Sequence, residues 1–284
     1  ARENQWGFVD FNRPMVAINQ WEQAADSMYT LCGKDRIHPS TDGHLVMAYL
    51  FLKAQGLAGK PVADIRIDGA GKKVTRSDNC RVSDLSVSSD NLTFTYEAKS
   101  LPYPIDTSYY DNEKHTQADA LSVIPFMDEM NYEGLSVSGL SDGYYGLTIG
   151  GEFIGRFTAR ELERGINMAL LQNTPQYKQA MKIRQMNEER WLKERKMREF
   201  YWVEYNLMRK TGMLWACNEA AVDTLRKYRP HDIFLQWNGD LWLQYMHKGI
   251  REDCVNEQQD LVNQIYEQNK PIPLRIEIKK FTDL

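Results

Sequence analysis

The chain has 284 residues, enough for a substantial buried core and for one to three domains. Its 35 Lys and Arg against 39 Asp and Glu give a formal charge of −4, which excludes the basic footprint of a nucleic-acid binder and a long acidic tail. Hydrophobic content of 42% is that of a globular protein, no apolar run approaches the ~18 residues a membrane span needs, and Cys32, Cys80, Cys217 and Cys254 are too scattered for a zinc ribbon or a disulfide scaffold.

In chain order, Trp6-Gly7-Phe8-Val9-Asp10 reads as a short buried strand. Met15, Ile18, Trp21, Ala25, Met28 and Leu31 recur at helical spacing and predict a helix over about 17–31. A turn follows, Asp35-Arg36-Ile37-His38-Pro39-Ser40-Thr41-Asp42-Gly43-His44, and then an apolar run that predicts a helix over about 41–56. Asp and His three apart, on a turn ahead of a helix, can reach the same point in space. A histidine titrates near neutrality and can take and return a proton, and a carboxylate beside it fixes its tautomer. The same two letters also occur as a helix cap with a surface histidine. By residue type, Asp35, His38, Asp42 and His44 are possible metal ligands, although nothing nearby would orient them, and the site is read without metal or cofactor.

Asp35, His38, Pro39, Gly43 and His44, followed by the apolar helix, resemble the last sequence block of the SGNH or GDSL-type esterases. The resemblance implies a Ser-His-Asp triad, with His38 as general base and Asp35 as its orienting acid. It implies an α/β fold in which residues 1–58 are the closing part of a flavodoxin-like α/β/α hydrolase domain. The Gly-Asp-Ser, Gly and Gly-x-Asn blocks that family carries ahead of this one do not occur before Asp35. The nucleophile and the oxyanion donors are therefore expected from polypeptide outside this chain, as the N-terminal part of the same domain.

Residues 59–157 read as an antiparallel β accessory region. Alternation over 62–68, 81–87 and 92–98 predicts half-buried strands of one sheet, and Pro102 and Pro104 end the run. Residues 105–120 are polar, and 118–126 are ambiguous. Residues 135–140 and 144–149 flank Ser141-Asp142-Gly143 and predict a hairpin, with a further strand over 152–157. Gly139-Leu140-Ser141-Asp142-Gly143 matches a nucleophile elbow in letters, but that elbow needs a strand-to-helix turn and both flanks here read as strands. Gly139 to Tyr144 also resembles a hairpin in the β extension of some SGNH members.

Residues 158–270 read as a helical region. Thr158 and Glu161 have capping-box spacing and open a helix to about Leu171. Pro175 opens a long helix to about Lys210, whose Arg, Lys and Glu runs read as a solvated face and whose Trp191, Phe200, Tyr201, Trp202 and Tyr205 either line a partner groove or pack, with packing the preferred reading. Further helices are expected over 215–228, 232–247 and 253–268. Residues 271–284 hold a last strand, over 273–281, returning to the β region.

As a whole, the resemblance implies a serine esterase acting on small O-acyl esters, in particular acetyl groups on carbohydrate, with a small-molecule or glycan ester as partner; no nucleic acid is expected. A bacterial, periplasmic or secreted location follows from the family and from a start at Ala1 that fits a removed leader. The alternative is a non-catalytic β-plus-helical module for carbohydrate binding or interaction, suggested by seven Trp, fifteen Tyr and ten Phe and by the long helix.

Overall fold

The structure is a computed structural model, and it describes residues 2–108 and 115–281. The polar stretch expected over 105–120 therefore lies partly outside the described residues, as does the end of the C-terminal segment. The chain is α/β, with two sheets and a helical region, and divides into two compact units. One comprises Ala1–Ala180 and Lys270–Leu284; the other is Met181–Asn269.

The first unit opens with helices α1 (Asn12–Glu22) and α2 (Thr41–Ala54). The strand expected over 6–10 does not form. That segment is irregular, and Trp6 and Phe8 are exposed, so apolar letters there face solvent. Nor does α1 reach residue 31. The side chains of Asn19 and Gln23 take over backbone partners of the following loop: Leu31 N–H donates to Asn19 Oδ1 at 2.9 Å, and Gln23 Nε2 donates to the Tyr29 carbonyl at 2.8 Å. Residues 2–58 thus contribute no strand to either sheet. Leu45, Val46 and Tyr49 of α2 pack with Leu31, Ile105, Ile124 and Phe126 in a core of their own. The short helix α3 (Phe126–Glu129) belongs to that core.

The first sheet has the order β2 (Lys73–Asp78), β1 (Ala63–Asp68), β5 (Glu133–Ser138), β8 (Ile166–Asn167). The second has the order β3 (Cys80–Val87), β4 (Asn91–Ala98), β9 (Leu274–Lys280), β6 (Tyr144–Ile149), β7 (Glu152–Thr158). The second is antiparallel throughout, whereas β1 and β5 run parallel. Two expectations are corrected here. The segment 62–68 does not share a sheet with 81–87 and 92–98, and 135–149 is not a hairpin. Strand β6 pairs with β7 and β9, while β5 pairs with β1 and β8. Alternation fixes which face of a strand is apolar, but it does not choose the neighbour. Ile65, Ile67, Leu135 and Val137 from one sheet and Phe94, Leu147, Ile276 and Ile278 from the other meet in a single core.

Helix α4 (Ala159–Arg164) carries the capping box of Thr158 and Glu161 but stops well short of Leu171. Gly165, at φ +94°, takes a conformation open to glycine and breaks it. In the second unit, α5 (Pro175–Val203, beginning in the first) continues through a π-turn over Glu204–Met208, and α6 (Glu219–Tyr228), α7 (Ile233–Tyr245) and α8 (Lys248–Gln268) follow. Phe200, Val203, Met208, Leu225, Leu235 and Trp242 form its core. Phe200 is buried, but Trp191, Tyr201 and Tyr205 are substantially exposed. Arg195 pairs with Glu199 and Arg198 with Glu194 along the surface of α5.

Candidate functional site

The turn that precedes α2 is a small closed loop. Its ends are tied by a bridge between Cys32 and Pro39, by Ser40 N–H donating to the Leu31 carbonyl at 3.0 Å, and by Gly33 N–H donating to the His38 carbonyl at 2.7 Å. Within it, Asp35 Oδ1 accepts from the backbone N–H of Ile37 at 2.9 Å and of His38 at 3.1 Å, an Asx-type turn set by the short acid. Its other oxygen, Oδ2, lies 2.5 Å from His38 Nδ1. The hydrogen bond from the ring holds the Asp35 carboxyl down at about 2, with the two backbone N–H groups adding to the effect. Asp35 is therefore a carboxylate throughout the neutral range. A proton on Nδ1 leaves Nε2 as the free acceptor of the neutral ring.

The two residues singled out from the sequence are thus brought together. They sit in the open, with 84% of the His38 side chain and 48% of the Asp35 side chain exposed. Among the described residues, no serine hydrogen-bonds to His38. Ser141 is engaged elsewhere. Its Oγ lies 3.1 Å from the Tyr145 hydroxyl and accepts from Lys280 Nζ at 2.7 Å, and no helix follows it. It is not presented as an elbow nucleophile.

Asp42 and His44, the other polar members of the motif, do not join Asp35 and His38. Asp42 is 1% exposed and turns inward, accepting from Ser40 Oγ and from Gly43 N–H. Its Oδ2 lies 3.4 Å from Nδ1 of His115, a partner the sequence reading missed. This second acid–histidine pair joins residues 73 positions apart, so no local spacing marks it. The ring of Tyr29 meets that of His115 edge-on at 6.2 Å. Burial, with the Asp42 charge next, pushes the Tyr29 hydroxyl up to about 12. Among the described residues, no group of three or more His, Cys, Asp or Glu is placed to hold a metal ion, and no helix is long and apolar enough to cross a membrane.

The profile of a family described as the diltiazem deacetylase C-terminal helical domain matches residues 181–270. A solved structure of a gut microbial diltiazem-metabolizing enzyme is similar to this chain, with a TM-score of 0.93 and 42% sequence identity. The match covers 99% of this chain and 64% of that one, so the chain spans less than two thirds of that relative's length. No curated protein matches the chain. These matches correct the resemblance to the SGNH or GDSL-type esterases. The family is described by diltiazem deacetylation and the solved relative by diltiazem metabolism, and neither is described as an SGNH or GDSL-type esterase. The resemblance rested on five positions in ten residues, and those letters specify a tied turn before a helix, a local structure that does not require one family.

Proposed function

We propose that the chain serves a hydrolase that removes an acetyl group from a small molecule, with His38 as general base and Asp35 as its orienting acid. The observation that carries this is the match along 99% of the chain, at 42% identity, to an enzyme that metabolizes diltiazem, together with a deacetylase description for residues 181–270. The Asp35–His38 pair supplies chemistry of the required kind. The Nε2 of His38 takes the proton of a nucleophilic hydroxyl as that oxygen attacks the acetyl carbonyl. It then gives the proton to the departing alkoxide, and the sequence repeats with water to release acetate. Asp35 holds the ring in the tautomer that accepts at Nε2 and stabilises the imidazolium formed in each step.

The serine belongs, in this reading, to polypeptide outside these 284 residues. Two observations support that. Ser141 is held by Tyr145 and Lys280, and Trp6, Phe8, Trp21, Met28 and Ile37 stand exposed on the segment that carries the dyad. In helix α1 no residue is fully buried, and Met15 and Ile18 are only partly buried against the α2 core. Such a run of uncovered apolar side chains marks an interaction surface. The openness of His38 favours the second reading, a non-catalytic binding module in which Asp35 and His38 merely shape a turn.

The test is acetate release from diltiazem and from an acetylated glycan by the native protein, combined with labelling by a fluorophosphonate. The proposal expects acetate from at least one substrate and a label on a serine other than Ser141. A label on Ser141, or none with turnover persisting, overturns the assignment of the nucleophile. No acetate from either substrate favours the binding module.

A further inference from the structure

Glu133 begins β5 and has no solvent-exposed surface. Its Oε1 accepts from the Tyr96 hydroxyl of β4 at 2.8 Å and from Gln176 Nε2, in the first turn of α5, at 3.2 Å. Gln176 is itself 3% exposed. Two oxygens of this cluster, Glu133 Oε2 and Gln176 Oε1, hydrogen-bond to nothing among the described residues. A carboxylate and an amide arranged this way leave two acceptors and no donor in a dry interior, which is costly. One proton on Oε2 resolves both, because a carboxylic acid is a donor as well as an acceptor.

We propose that Glu133 is carried protonated, its Oε2–H donating to Gln176 Oε1, so that acid and amide form a two-bond pair that fastens the first turn of α5 to β5 and opens when the proton leaves for solvent. The groups around it are consistent. Tyr96 on β4 is the nearest titratable neighbour, with Cys80 on β3 beyond it, and both ionisations are pushed up by burial. Asn167 on β8 accepts from the Glu133 backbone N–H at 2.9 Å and is neutral. Among the described residues, no Lys, Arg or His hydrogen-bonds to the carboxyl to favour its charge. Burial pushes Glu133 up to about 7 against an ordinary 4.5.

The direction of the effect follows from that rise. Below the ordinary carboxylate range, folded and unfolded chains both hold the proton, and the stability of the pair is complete. Between about 4.5 and about 7 the unfolded chain releases it while the folded chain keeps it, so stability falls as pH rises, and above about 7 the loss is complete. Glu133→Gln keeps the shape and supplies a permanent N–H where the acid has its proton.

Urea unfolding of wild type and Glu133→Gln at about pH 5 and about pH 8 is the test. The expected result is a gap that opens with pH: between those conditions the wild type loses about a hundred-fold in folding constant relative to the variant. A gap independent of pH would mean that Glu133 is ionised throughout and overturns the proposal. Should the variant not fold, the infrared spectrum of the wild type decides. A protonated carboxyl band that persists at about pH 6 and vanishes by about pH 8 supports the pair, and its absence at about pH 6 refutes it.

Discussion

The residue that makes the candidate turn possible is Gly43. A Cβ built there would lie 2.0 Å from the Leu31 carbonyl oxygen and 3.3 Å from Pro39 Cβ. The start of α2 is therefore packed against the base of the loop that carries Asp35 and His38. Gly43→Ala should cost about 1–3 kcal/mol, because the clash is with backbone and cannot be relieved by a rotamer change. Chemical denaturation measures this; a variant as stable as the wild type would mean that α2 shifts freely. The sequence showed Asp35, His38 and Gly43 as a group because all three lie within nine consecutive residues. It could not show His115, which reaches Asp42 through the fold, nor that Asp42 turns inward.

At the scale of the element, signals that depend on a few neighbouring residues were readable. The Thr158–Glu161 box forms with both of its hydrogen bonds, and Pro175 stands at the start of α5. What lay hidden was what tertiary contacts decide: the early end of α1, the break at Gly165 and the choice of strand partners. The second unit shows how specific such contacts are. Glu204, in the π-turn, is 1% exposed and accepts from Trp242 Nε1 and from the Trp215 backbone N–H, both at 2.8 Å. The carboxylate thus ties α5 to α7 and to the loop before α6. Trp242→Phe removes one donor and some of the packing around it. It should destabilise this unit by about 2–4 kcal/mol, measurable by urea unfolding; no change would show that Glu204 finds another partner.

For the whole molecule, periodicity conveyed a β-rich middle and a long helical stretch, and the α/β class came from the family resemblance. Neither conveyed two sheets sharing one core, since Ile65 and Ile276 carry nothing that tells which sheet each joins. The functional reading ties the open Asp35–His38 pair to acetyl removal, and it stands or falls with the ring of His38. The decisive measurement is the rate of acetate release by the native protein beside its His38→Ala and His115→Ala forms. The account predicts a loss of about 10²- to 10⁴-fold for His38→Ala and a rate within a few-fold of wild type for His115→Ala. Undiminished turnover in His38→Ala, or the larger loss in His115→Ala, would contradict it.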